Sequence, residues 1–319
     1  MYIMRSGIGN AGGIGILFLL AAGPGFAAEP PTGDSIIRGK FSDSDIVITT
    51  TARLAGAVHS LTWNKQEFID SADHGRQLQS ACSFDCGQKG PFWAEAFNPT
   101  EAGSRQDGAG PKSTSRLLEL NAAKNVLTTR TQLAFWLAPG EKSDKFPALN
   151  DKPLSLHMVS KRVALGTGKF PNVLDYRITF DGPETEKHTY AQYEALTGYM
   201  PQEFSEFRTW NPVDGKLAKL GDGPGEQHLP VVFSKPDGKH AMAVWSPDQP
   251  SKGYETAGYG RFRFKAEKVV KWNCVFRYKD PAGVKLAGRA FRVFVVLGTL
   301  DDVQSTLAAL AEAVAGERR

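Results

Sequence analysis

Cysteine, net charge and long apolar runs are all scarce in this 319-residue chain, and each shortage narrows what it can be. Only three cysteines occur, Cys82, Cys86 and Cys274, too few for a fold held by a disulfide framework. The C-x3-C spacing of Cys82 and Cys86 lacks the second pair and the partner histidines of a zinc module. The formal net charge is +4, from 38 Lys and Arg against 34 Asp and Glu spread along the chain. That is no electrostatic footprint for nucleic acid. The leading apolar run, Ile14–Ala22, falls well short of the roughly 20 residues that span a bilayer as a helix. Catalytic signatures are missing too. No Gly-x-Ser-x-Gly elbow, His-Glu-x-x-His helix or dinucleotide fingerprint is present, which disfavours hydrolase triads, zincins and NAD enzymes. The Gly-rich turns at 166–169 and 223–228 lack the Gly-Lys-Ser/Thr of a phosphate loop. No repeat of fixed period is present, which argues against propellers and solenoids.

What is there begins with a leader. Met1–Arg5 is short and basic, Ile14–Ala22 is apolar, and Gly25-Phe26-Ala27-Ala28 supplies small residues for cleavage. This pattern predicts a signal peptide over 1–28 and a periplasmic or secreted protein; an uncleaved amphipathic anchor is the alternative. Residues 29–319 then suit one large domain, with 41% hydrophobic residues to fill its core. An oxidising compartment permits a Cys82–Cys86 bridge, and pairings with Cys274 stay open. Cys274 lies in the apolar string Val269–Phe276, which favours a buried thiol.

The rest reads as strands. β-branched runs occur at Ile36-Ile37 and Ile46–Thr51, and Arg53–Ile69 alternates through a turn at Asn64-Lys65. Further strands are expected near Ser115–Leu120, Val126–Leu137, Leu154–Leu165, Val173–Phe180, Tyr190–Tyr199, Val231–Phe233, His240–Ser246, Gly260–Lys265, Val269–Tyr278 and Arg289–Gly298. Turn signals such as Asp181-Gly182-Pro183 and Pro236-Asp237-Gly238 separate them. One helix is convincing, at the end: Thr299 and Asp302 form a capping pair, and Val303, Leu307, Leu310, Ala311 and Val314 share one face. The fold class is mainly β, a large antiparallel β-sandwich with a C-terminal helix.

Polar groups are most concentrated just after the hairpin, in Asp73-His74-Gly75-Arg76-Gln77 and Gln79. The planar guanidinium of Arg76 suits vicinal hydroxyls or a carboxylate, and His74 can exchange a proton near neutral pH with Asp73 orienting it. The plainer reading is an Arg–Asp pair tying the hairpin to its neighbour. Asn98 and Glu101 lie in a loop-like stretch, 82–111, whose Phe92, Trp93 and Phe97 mark it as ordered. Glu101 is a candidate acid or base, or with Asp107 a ligand for a hard cation; the plainer reading is a turn cap. Around Tyr190–Tyr199, a strand puts Tyr190, Gln192 and Glu194 on one face and Tyr193 on the other, whereas a helix groups Tyr190, Tyr193 and Glu194. Aromatic faces there can stack on sugars while a carboxylate holds hydroxyls. Glu226 and His228 can reach a cleft from a rim loop, and Tyr259 and Arg261 share a strand face that can line a groove. His59 and His157 sit in apolar strands and read as satisfied core histidines. A metal site of His74, Asp73 and Glu101 fits no ligand spacing, so neither metal nor cofactor is expected.

Gly56-Ala57-Val58-His59-Ser60-Leu61, a turn, a second strand and then Gly75-Arg76 resemble the opening of galactose mutarotase-like (aldose 1-epimerase) proteins. The likeness covers residues 53–80. It implies a large antiparallel supersandwich with a sugar at the Gly-Arg segment. Members carry a His-Ser-Tyr-Phe-Asn type segment with the catalytic acid and a late glutamate base. Here His188-Thr189-Tyr190 is a fainter echo, and Glu226 or Glu255 stands in for the base. The same supersandwich serves polysaccharide lyases, whose needs Arg76, His74 and Tyr199 can meet.

The expectation is an exported carbohydrate-active protein with a sugar or polysaccharide as ligand. His74 and Glu101 or Glu194 are its acid/base groups, and Arg76 and Gln77 its clamps. Asp73, Gln79, Asn98, Tyr190, Tyr199, Glu226, Tyr259 and Arg261 complete the site. The reaction is epimerisation, β-elimination or glycosidic cleavage. The alternative is a non-catalytic glycan-binding or envelope-structural protein. Either requires residues 73–79, 98–105 and 190–199 to meet in one concave groove.

Overall fold

Period-two alternation of apolar residues builds this molecule, because a strand sends successive side chains to opposite faces. The computed structural model describes residues 31–88, 90–254 and 258–317. The leader expected over 1–28 and the stand-in base Glu255 lie outside the described residues. Nineteen strands are hydrogen-bonded together, and a two-stranded ribbon, Lys142–Ser143 with Phe146–Pro147, stands apart.

The pairings run in two antiparallel series. One passes through Arg116–Ala123, Val126–Phe135, Leu154–Thr167, Phe170–Asp181, Arg289–Gly298, Ala241–Trp245, Val231–Ser234, Glu206–Trp210 and Leu217–Lys219. The other passes through Ser35–Phe41, Ser44–Thr50, Val58–Trp63, Leu78–Phe84, Tyr190–Pro201, Val269–Lys279, Tyr259–Phe264 and Gly225–Gln227. The short strand Pro99–Thr100 stitches Leu78–Phe84 to Val126–Phe135.

Between the layers lies the main core, with Val163, Tyr176 and Val295 from the first series and Leu78, Tyr193 and Trp272 from the second. A smaller core lies on the far face of the first series. There Val303, Leu307, Leu310 and Val314 of the helix Leu300–Glu317 pack on Trp210, Trp245, Phe294 and Val296. Val293–Leu297 is therefore buried on both faces, which is why that strand ends as an unbroken apolar run. Strand Val269–Lys279 is covered by the main core on one face only. It alternates Val270, Trp272 and Cys274 inward with Lys271, Asn273 and Arg277 on the other side. The helix starts on the expected capping box: the Asp302 N–H donates to Thr299 Oγ1 (3.2 Å) and the Thr299 N–H to Asp302 Oδ2 (3.0 Å).

The hairpin turns at Asn64 and Lys65, both at positive φ (47° and 63°), as a two-residue turn requires. Its second arm is shorter than the alternation through Ile69 suggested: only Gln66–Glu67 pairs. The Glu67 carboxylate then accepts the N–H groups of Leu61, Phe68 and Ile69 at 2.9–3.0 Å, while the Phe68 N–H also meets the Leu61 carbonyl at 2.9 Å. Cys82, Cys86 and Cys274 are free thiols. Among the described residues, no helix is long and apolar enough to cross a membrane.

Candidate functional site

On the face of the second layer turned away from the main core lies a cavity of about 390 Å³. Its floor comes from three neighbouring strands. Leu78–Phe84 gives Gln79, Ala81 and Ser83; Tyr190–Pro201 gives Glu194, Thr197 and Tyr199; Val269–Lys279 gives Val269 and Lys271. Asp73, Gly75 and Arg76 form one wall, Ala94, Glu95 and Asn98 another, and Trp136 and Phe264 close the sides. Parts of the three stretches expected to converge thus line one concavity.

A β-bulge makes the floor possible. Glu194 and Tyr199 are five residues apart, an odd spacing that places them on opposite faces of a regular strand. The register shifts between Glu194 and Leu196 against the Val269–Lys279 strand. That extra residue returns Thr197 and Tyr199 to the face of Tyr190, Gln192 and Glu194. The strand alternative for this segment holds, with Tyr193 in the core.

Ion pairs order the side chains. Lys271 Nζ lies 3.3 Å from Glu194 Oε2 and 5.2 Å from the centre of the Tyr199 ring. Burial alone would lower the Lys271 pKa, but Glu194 and the Tyr199 hydroxyl outweigh it and hold the ammonium well above its usual value. Burial raises the Tyr199 phenol, only partly countered by Lys271, so the hydroxyl keeps its proton. Across the cavity, Arg76 Nε is 3.1 Å from Asp73 Oδ2, and Asp73 Oδ1 accepts the Gly75 N–H at 2.8 Å. Gly75 must lack a side chain, because a Cβ there would fall 2.8 Å from Trp136 Cη2. Gln79 holds the Gly75 carbonyl and the Ala102 N–H, and Asn98 donates to the Cys82 carbonyl (2.7 Å), so both are braced lining groups.

Seven expected site residues lie elsewhere, each for a stated reason. His74 is buried, its ring nitrogens 2.7 and 2.9 Å from the carbonyl oxygens of Gly108 and Arg53. It ties loops together and has no access to a ligand; Asp73 pairs with Arg76 instead of orienting it. Gln77 is buried and donates to the Asp73 carbonyl. Glu101 is fully buried, ion-paired with the buried Lys161 and accepting the Ser80 N–H at 2.9 Å. Tyr259 is a core residue whose hydroxyl accepts the Ser246 N–H at 2.8 Å. Arg261 braces the rim loop through the Gly221 carbonyl (2.8 Å) and Gln227 Oε1 (2.9 Å). Glu226 grips Arg277 with both oxygens, at 2.7 and 2.8 Å. Arg277 also meets Gln192 at 3.2 Å, which lies between Glu194 and Tyr190 on the strand. Tyr190 lines a neighbouring cavity with Phe92, Trp93 and Phe146.

The sequence reading missed Lys271, Trp136 and Glu95. Lys271 was detectable, because charged and polar residues alternate with core residues along Val269–Lys279. Trp136 carries no such signal; it reaches the cavity only through the fold.

Among the described residues, His157, Glu186 and His188 have ligand-like spacing, with their ligating atoms within 4.8 Å of one another. Their hydrogen bonds argue against an ion. The Cys86 N–H donates to His188 Nδ1 (3.1 Å), leaving the ring proton on Nε2, which faces Glu186 Oε2 at 3.2 Å. A ring in that tautomer offers no lone pair to the cluster. His157 Nε2 meets the same oxygen at 2.8 Å, and Phe84 stacks on both imidazoles, at 4.7 and 4.6 Å. Burial would raise the Glu186 carboxyl, but the two histidines hold it at about 2. Burial, with Glu186 and Asp85 nearby, pushes the Cys86 thiol up to about 12, an unreactive state.

Among solved structures, the chain is similar to a galactose mutarotase-like protein from Lactobacillus casei ATCC 334, at 10% identity and TM-score 0.42, covering 82% of this chain and 100% of that one. It is also similar to the Slr1438 protein from Synechocystis sp. PCC 6803, at 8% identity and TM-score 0.45, over 86% and 100%. GH36 alpha-galactosidase AgaB from Geobacillus stearothermophilus matches at 9% identity and TM-score 0.40, over 83% of this chain and 40% of that one. No protein-family model matches the chain, and no curated protein matches it in sequence. The mutarotase-like proteins suggested by residues 53–80 thus stand among the structural neighbours. Superpositions this loose transfer neither a site nor an activity.

Proposed function

We propose that this is an exported protein that binds a neutral sugar in the Glu194 cavity and acts on it by acid–base catalysis. The observation that carries this is the Glu194–Lys271–Tyr199 cluster facing Asp73 and Arg76 across one concavity. Glu194 is the base, taking the anomeric hydroxyl proton in epimerisation or a proton from the water that attacks the anomeric carbon in glycosidic cleavage. The protonated Tyr199, backed by the Lys271 charge, is the donor to the ring or leaving oxygen. Arg76 and Asp73 hold hydroxyls, and Trp136 presents a ring face.

Charge decides between substrates. The lining has four carboxylates, Asp73, Glu95, Glu194 and Glu267, against two cations, Arg76 and Lys271. Each cation already has an anionic partner, at 3.1 Å and 3.3 Å. A uronate would add a further anion, so β-elimination is disfavoured and epimerisation or glycosidic cleavage retained. The second reading, binding without turnover, draws on the same pairing, since Glu194 is engaged by Lys271.

The test is a panel of reducing sugars and glycosides followed by NMR for anomeric exchange and bond cleavage. Glu194→Gln is expected to lower turnover at least a hundredfold, the usual scale for a general base, with sugar binding within a few-fold of wild type. Binding without turnover in the wild type sinks the catalytic reading and leaves the lectin-like one.

A further inference from the structure

The cavity beside Tyr190, about 500 Å³, has no part in the chemistry above. Its walls are aromatic. Trp93 and Phe146 stack with centres 4.8 Å apart and planes 9° from parallel, and Phe92 meets Tyr190 edge-on at 4.6 Å. Tyr254 also lines it, with Thr189 and Lys279 as polar neighbours. Trp93 remains 36% exposed. A lone exposed aromatic is ordinary, but five around one concavity form a surface that exists to be covered.

The two cavities share a frame. The 93–98 segment lines this one at Trp93 and Ala96 and the other at Ala94, Glu95 and Asn98. Strand Tyr190–Pro201 lines this one at Tyr190 and the other at Glu194, four residues or about 14 Å apart. Between them the Gln192–Arg277–Glu226 bridge forms a polar saddle on the same face.

We propose that the Tyr190 cavity is a second saccharide subsite on one continuous groove, so that the substrate is a neutral oligo- or polysaccharide and not a free monosaccharide. This rests on the Glu194 cavity taking a sugar. Flat aromatic faces match the C–H faces of a pyranose, and Thr189 and Lys279 meet the hydroxyls at its edge. The polar saddle, in which Arg277 is bridged to both Gln192 and Glu226, suits the hydroxylated stretch of chain between the two sites better than an apolar peptide, which would offer that polar surface no hydrogen bonds in place of water.

The experiment is calorimetric titration of the purified protein with gluco-, galacto-, manno- and xylo-oligosaccharides of one to six units, with tryptophan fluorescence in parallel. In the best series, affinity is expected to rise roughly tenfold once the chain is long enough to reach Trp93, the scale of a good aromatic contact. Trp93→Ala and, separately, Phe146→Ala should each remove that gain while leaving monosaccharide affinity unchanged. Affinity flat with length, or a gain that survives both variants, overturns the subsite and leaves the Glu194 cavity standing. Binding abolished by Trp93→Ala but indifferent to Arg76→Ala overturns the reading of the Glu194 cavity and keeps the aromatic site. No binding by any series overturns both.

Discussion

At the scale of single residues, the same side chain types serve opposite ends, and burial decides which. Glu101 and Glu194 both have a lysine partner, yet Glu101 and Lys161 are sealed in the interior whereas Glu194 and Lys271 face a cavity. An unpaired buried charge is costly, while an apolar replacement of the whole pair is not. Lys161→Ala is therefore expected to lose about 3–5 kcal/mol in urea denaturation, and the double variant Lys161→Met, Glu101→Leu to lie far closer to wild type. Retained sugar turnover in the double variant checks that Glu101 is structural. The sequence showed an acidic residue in an ordered loop; it could not show that Lys161, sixty residues away, closes over it.

Elements are joined here by polar clusters whose strength depends on pH. Glu186 links His157, on strand Leu154–Thr167, to His188 in the loop before Tyr190. Its folded pKa, about 2, lies below the ordinary glutamate value of 4.5. In that window the unfolded chain binds more protons, so the contribution is complete above about 4.5 and lost as pH falls towards 2. Comparing denaturant midpoints of wild type and Glu186→Gln from pH 6 to pH 3 should show the wild type losing about 1–2 kcal/mol more, after allowance for solvent screening. Parallel pH profiles would remove Glu186 as the cause. The strands themselves were legible, because alternation is a local property: Tyr190–Pro201 and Val269–Lys279 fall where the pattern put them. The bulge after Glu194 was not, since a register shift is a relation between two chain segments.

Across the whole molecule, the terminal helix acts as a cover. Val303, Leu307, Leu310 and Val314 shield Trp210, Trp245, Phe294 and Val296 on the outer face of the first layer. Truncation before Leu300 should expose this face, replacing a single cooperative unfolding transition with dye-binding, aggregation-prone protein. A monomeric truncated protein with an unchanged melting curve would contradict the two-core arrangement. The amino-acid sequence by itself determined most of the strands, though not Leu78–Phe84 or Glu206–Trp210, together with the terminal helix, the cap at Thr299 and the polar stretches at 73–79 and 190–199, because periodicity and turn chemistry act over a few residues. Only the tertiary structure decided that His74, Gln77 and Glu101 are interior ties while Lys271 and Trp136 face the cavity. Whether a polar side chain is buried against a partner or left open to a ligand depends on segments far apart in the chain.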